Sequence, residues 1–157
     1  MEKSKLIVGI LIGFAVVISI GFIAFTKGMK DFQQKTVTSV YKTQAKVLLL
    51  QLRTHILIHQ ISTDSFENVD FSSFAQPEKA DFVVGVVSTG PGDEEGFWAG
   101  KTDDPTLIEK ARTLCPDCAI TSEGFKLIVI GNPGGEFLAQ TLTHEEDAEI
   151  QTLEVHN

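Results

Sequence analysis

A continuous apolar run near the start of the chain constrains its structure more than any other feature. Residues Leu6–Phe25 contain no charged side chain, and Ser19 is the only polar one. About 20 helical residues, at about 1.5 Å rise each, match the roughly 30 Å hydrocarbon core of a bilayer. A helix also satisfies its own backbone hydrogen bonds in lipid. The run therefore predicts a single-pass membrane anchor, which we assign to residues 1–28.

A cleaved signal peptide is the alternative explanation of such a run. Its apolar region spans about 7–15 residues and is followed by a site with small residues. The run here is longer, and Ile23–Lys27 offers no Ala-x-Ala site, so a retained anchor is favoured. Lysines lie on both sides of the run, and the positive-inside rule therefore does not assign the orientation.

Gly9 and Gly13 form a Gly-x-x-x-Gly pair within the run. Such spacing allows two membrane helices to approach closely and associate. Glycine is also common in membrane helices in general, so the pair has two interpretations, helix association and simple composition.

Charge is divided unevenly along the chain. Residues Met1–Ile61 carry eight Lys or Arg and two acids, a net charge of +6, whereas Ser62–Asn157 carry five Lys or Arg and nineteen acids, a net charge of −14. An acidic C-terminal part argues against nucleic acid as its partner. The asymmetry has two explanations. One is attraction between the acidic part and a basic helix of the same or a neighbouring chain, and the other is that the acidic surface serves solubility alone.

The apolar pattern continues beyond the run as a periodic stripe. Its members recur at three- and four-residue steps: Val37, Tyr41, Ala45, Leu48, Leu52 and Ile56. Most charged residues fall between them, which predicts an amphipathic helix over residues 29–62 with one apolar stripe and a basic remainder. No proline interrupts the chain between Leu6 and Ile61, so one long helix, bent near Gly28, is predicted to end near residues 62–64.

The pattern of residues 63–157 predicts one acidic α+β head domain. In this domain an antiparallel sheet of about four strands packs on the long helix. A loop with Phe66, Phe71 and Phe74 as apolar contacts precedes the sheet. A short helix follows Pro105, capped by Asp103 or Asp104. The predicted strands are Asp81–Ser88, a short one at Phe97–Gly100, a central one at Phe125–Ile130, then Phe137–Thr143 and Glu149–Val155.

Metal and catalytic sites find little support in the sequence. His55 and His59 are four residues apart and could share a metal ion on one helix face. Two nitrogens make only half of a zinc site. Histidines that pack within the fold or face solvent are therefore favoured over a metal site. The acidic loop Thr89–Gly96 lacks the spacing of a calcium-binding EF-hand. No serine or cysteine has the context of a nucleophile, and we predict no catalytic residue, metal or cofactor.

Cys115 and Cys118 form a Cys-x-x-Cys pair, which can be a redox dithiol, half of a metal site or a structural disulfide. The pair follows a predicted helix, whose C-terminal dipole opposes a thiolate. No second pair exists to complete a zinc site. A structural disulfide is therefore favoured, and redox chemistry remains the alternative.

The order of these elements resembles that of type IV pilins and pilin-like proteins. The matching stretches are YKTQAKVLLLQLRTHILIHQ, ENVDFSSFAQPEKADFVVGV, FKLIVIGNPGG and EIQTLEV. The resemblance implies a head in the periplasm or outside the cell and a structural, accessory or assembly role in the cell envelope. Pilins carry a glycine before a methylated aromatic residue and a glutamate in the membrane helix. Both are missing here, so neither peptidase processing nor filament register is carried over.

The expected partners are membrane lipid and other membrane or envelope proteins, with self-association through the N-terminal helix as one form, and no nucleic acid. Two other functions stay open at this point. One is a membrane-tethered redox or metal-handling domain that uses Cys115 and Cys118. The other is a sensory subunit whose head binds a partner protein.

Overall fold

The structure, a computed structural model, describes residues 2–74, 82–88, 96–100, 104–135, 137–145, 149–153 and 155. Within these ranges, the side chains of residues 2–26, 31, 34 and 134 lie outside the description. The chain divides into two compact units, Met1–Thr38 and Ser39–Asn157, and each is considered by itself.

The elements confirm the predicted α+β class. In chain order they are α1 (Glu2–Thr63), β1 (Phe82–Val86), β2 (Phe97–Gly100), α2 (Pro105–Leu114), β3 (Ile120–Thr121), β4 (Gly124–Gly131), a 3₁₀ turn (Pro133–Gly135), β5 (Leu138–Thr143) and β6 (Gln151–Leu153).

Helix α1 is continuous, as predicted from the absence of proline. It ends where Asp64 adopts a positive φ of 58°, a conformation that continues no right-handed helix. Within the described residues, no helix is both long and apolar enough to cross a membrane. The side chains of Leu6–Phe25, with Gly9 and Gly13 among them, lie outside the described residues, so the anchor and the glycine pair stay predictions.

The sheet has six strands, which corrects the expected number of about four. Its order is β2-β1-β4-β5-β6, the pairings between these strands are antiparallel, and β3 pairs with β4 beside this path. The central strand β4 and its hairpin with β5 were predicted correctly. The missed strand β3 has only two residues, too few to show an alternating pattern.

Both faces of the sheet are covered. Phe125, Leu127 and Val129 of β4 pack into a first apolar cluster with the later part of α1. Ile128 and Ile130 pack on the opposite face into a second cluster with α2. A strand buried on both faces reads as a nearly continuous apolar run, which explains the sequence of β4. The fold predicted from the sequence has a helix on one face of the sheet only.

The predicted stripe of α1 is largely buried. Ala45, Leu48, Leu52 and Ile56 belong to the first cluster, and Tyr41 packs against it. Leu49 is also buried, although it lies beside the predicted stripe. Val37 is exposed, which corrects its assignment to the buried face.

The rest of this helix is not simply basic. Its exposed face carries the apolar side chains Val40, Val47, Leu50, Ile58 and Ile61. The consecutive leucines at 48–50 reach around the helix because successive helical residues point about 100° apart. The periodicity identified the buried stripe and missed this second apolar face.

Helix α2 and the loop after α1 follow the prediction. Asp104 caps α2 by accepting a hydrogen bond from the Thr106 backbone N–H at 3.0 Å, with Pro105 in the first turn. The loop side chains Phe66, Phe71 and Phe74 are half-buried against the first cluster.

Candidate functional site

The Cys-x-x-Cys pair lies where α2 ends. Cys115 is the C-cap residue of α2, and its Sγ lies 2.10 Å from the Sγ of Cys118, at disulfide distance. Both residues are buried, with 1% and 0% of their surface exposed, in the second cluster. The Cys118 carbonyl accepts hydrogen bonds from the backbone N–H groups of Val87 at 2.7 Å and Ser88 at 3.2 Å. The pair thus ties the end of α2 to the end of β1.

This environment favours a structural role for the disulfide. Thiol–disulfide exchange needs an attacking thiolate to reach a sulfur atom, and both cysteines are shielded by the second cluster. A thiolate released by reduction would face the C-terminal dipole of α2, which raises its energy. The redox alternative therefore lacks the exposed, electropositive surroundings of reactive cysteines.

Asp117, between the two cysteines, contacts the central strand. The Nζ of Lys126 donates to its carboxylate at 2.7 Å. This hydrogen bond is the main reason why the pKa of Asp117 is below its ordinary value. Two thirds of the Asp117 side-chain surface is exposed, so the ion pair is screened and positions the loop more than it stabilises the fold.

We expect the double variant Cys115→Ala and Cys118→Ala to fold with a modestly lower melting temperature. The closed loop is very short, so the chain-entropy model gives less than the roughly 3 kcal/mol expected for a 15-residue loop. Thermal unfolding of wild type and variant, each with and without reductant, measures the difference. Reductant should lower the melting temperature of the wild type only.

A single variant separates the structural and redox roles. With Cys118→Ser, a redox role predicts a mixed disulfide between Cys115 and a partner thiol, visible on non-reducing gels. A structural role predicts that no such adduct accumulates. Detection of such an adduct would favour the redox role over the structural role.

His55 and His59 hold the loop after α1 against the helix. Their Nε2 atoms lie 2.7 Å from the Asp70 carbonyl oxygen and 2.9 Å from the Glu67 carbonyl oxygen, respectively. A carbonyl can only accept, so each Nε2 carries the proton and donates. The His55 ring also stacks on Phe71, with centroids 5.8 Å apart.

These hydrogen bonds and the ring stacking give both histidines a structural role in packing the loop, which is the interpretation favoured over a shared metal ion. In the described part of the chain, no group of three or more His, Cys, Asp or Glu side chains could hold a metal ion. The acidic loop considered for calcium lies, over residues 89–95, outside the described residues.

A groove with basic and polar walls lies between α1 and the β5–β6 side of the sheet. We call it the lysine groove, and its volume is about 730 Å³. Six of its lining residues matter most: Ser39, Lys42, Lys46, Gln140, Leu142 and Ile150. This groove was not predicted from the sequence. Its only sequence signal is a glutamine between apolar residues in a strand, LAQTLT.

A second, more apolar groove runs along the other side of α1. It has a volume of about 580 Å³ and is bordered by Val47, Leu50 and Ile58 of the helix and by Phe74 of the loop. The histidine contacts fix the loop that forms one wall. This groove is the recessed part of the second apolar face of α1.

Comparisons of the chain with protein-family models, curated proteins and solved structures find no match. The resemblance to pilin-like proteins thus rests on the order of elements alone and stays a prediction.

Proposed function

We propose that this is a non-enzymatic, single-pass membrane protein whose α+β head acts as an accessory or assembly subunit of the cell envelope. The proposal rests on the two roles of α1, as membrane anchor and as part of the core of the head. This one helix includes the apolar run Leu6–Phe25 near its start and contributes the buried stripe Ala45–Ile56 to the core of the head. A head whose core includes the anchoring helix is held to the membrane by its own fold.

The exposed side chains of α1 support a role in binding proteins. Val47, Leu50 and Ile58 are 39–62% exposed and border the apolar groove. Contiguous exposed apolar surface marks interaction sites on otherwise polar proteins. The buried disulfide supports an exported head, since such bonds persist in oxidising compartments.

The full chain is expected to stay in the membrane fraction through carbonate and high-salt washes. Burial of about 20 apolar residues in lipid is insensitive to salt. Lysines at Val17 and Ile20 should prevent insertion, because each costs about 2.5–3.5 kcal/mol near the centre of a membrane helix. Fractionation followed by immunoblotting measures the distribution.

The matched control places the same two lysines at Val40 and Val47, which are exposed in the structure. This variant should remain in the membrane pellet. Wild-type protein that leaves the membrane at full mass would contradict the anchor.

A second measurement determines the side of the membrane. A reporter that is active only after export, fused after Asn157, should be active, and the native protein should contain no free thiol. An inactive reporter together with two free thiols would place the head in the cytoplasm and exclude the envelope role.

A further inference from the structure

The lysine groove combines two features that fold stability alone does not require. The first is a pair of cations. Lys42 and Lys46 are one helical turn apart, so they project to the same side of α1, with Ser39 and Thr43 beside them. Both lysines are exposed. Among the described residues, no carboxylate lies within ion-pair distance of either lysine.

The second feature is a buried amide. Gln140 lies two residues from both Leu138 and Leu142 on β5, so all three point to the α1 face of the sheet. Only 6% of Gln140 is exposed. Its Nε2 donates to the Thr152 Oγ1 over a long 3.4 Å, and its Oε1 has no hydrogen-bond partner within the described residues.

An unpaired buried polar atom destabilises a fold. Exchanging the oxygen and nitrogen of the amide would leave an unpaired N–H instead of an unpaired oxygen. A leucine of similar size would fill the same space without this cost. Gln140 is therefore better explained by a ligand that supplies the missing partner.

The lining specifies the chemistry of that ligand. The two ammonium groups require negative charge, and the unpaired Oε1 of Gln140 requires a hydrogen-bond donor, such as a backbone N–H. Ile150, which is half-buried, offers an apolar surface. Glu149 lies at the same groove and repels negative charge at its end. The volume of about 730 Å³ is within the range of ligand sites.

We propose that the lysine groove binds an acidic peptide segment of a partner protein. Its carboxylates pair with Lys42 and Lys46, one apolar side chain packs on Ile150, and a backbone N–H of the peptide donates to the Oε1 of Gln140. This partner class rests on the proposed role of the chain as a subunit of the cell envelope. It does not depend on the apolar run, so failure of the membrane test and failure of this site are distinguishable.

The test uses the full chain in detergent micelles and a fluorescein-labelled peptide of alternating Glu and Leu. Fluorescence anisotropy should show binding, and the same peptide with Gln in place of Glu should not bind. Lys42→Gln with Lys46→Gln should weaken binding at least tenfold. The control pair Lys30→Gln and Lys35→Gln, on exposed lysines of the same helix, should leave it unchanged.

Gln140→Leu is the variant that best distinguishes ligand binding from a structural role of the glutamine. It should weaken binding about tenfold while the melting temperature stays the same or rises, a combination that a purely structural glutamine does not produce. No binding of the Glu-Leu peptide would overturn the proposal. Three other results would also overturn it: an equal loss of peptide affinity in both lysine double variants, displacement of the peptide by equimolar inorganic phosphate, or unchanged binding in Gln140→Leu. Each of these results indicates a general anion-binding surface.

Discussion

Leu52→Ala should lower the free energy of unfolding by about 2–5 kcal/mol, as expected for a large-to-small change in a packed core. Leu52 is fully buried in the first cluster, between α1 and the sheet. Leu50→Ala is the matched control, since it is the same substitution on the same helix at a side chain that is 39% exposed. It should cost less than about 1 kcal/mol.

Denaturant unfolding of the full chain in detergent measures both variants. Trp98 is the only tryptophan and packs against the second cluster, so its fluorescence reports on the head. Lys42→Ala should behave like the Leu50 control. Equal losses for Leu52→Ala and Leu50→Ala would show that the buried face of α1 is misassigned.

Gly85→Ala should have a larger effect still and leave little folded protein. Gly85 lies in β1 opposite Trp98 of β2. A Cβ added there would lie 1.8 Å from the backbone oxygen of Phe97. The obstacle is backbone, so β1 and β2 would have to separate, and we expect a loss above about 4 kcal/mol.

The control for this variant is Gly28→Ala. An added Cβ at Gly28 meets no atom within 4 Å, and replacing glycine by alanine inside a helix should stabilise it by about 0.5–1 kcal/mol. Circular dichroism and limited proteolysis compare the two. A Gly85→Ala protein as stable as the wild type would contradict the pairing of β1 with β2.

The features that were predicted correctly are those with local or periodic signals. In the sequence, a long pattern without proline indicates helix α1, and Asp104 before Pro105 indicates the start of α2. Strands β4 and β5 show as apolar runs separated by a Gly- and Pro-rich turn. In each case the residues that determine the element are neighbours in sequence, so the physical cause can be read directly.

The features that were missed depend on contacts between distant residues. Nothing near α2 in the sequence indicates that it covers the second face of the sheet. The donation by His55 to the Asp70 carbonyl and the burial of Gln140 beside Lys42 depend on how helix, loop and sheet pack. The sequence identified Cys115 and Cys118 as a pair, but their burial, which decides between structural and redox roles, appears only in the fold.

The antiparallel order of the sheet has a consequence for synthesis. The inner neighbour of β1 is β4, and Gly124, where β4 begins, is made almost 40 residues after Val86, where β1 ends. At about 5–20 residues per second, the ribosome needs roughly 2–8 s to add them. During that interval the nascent chain can close the β1–β2 hairpin, but the apolar strand β1 and the leucines of α1 have no sheet centre to pack against. Newly made chains thus pass through a stage with exposed apolar surface, which favours aggregation until β4 has been synthesised.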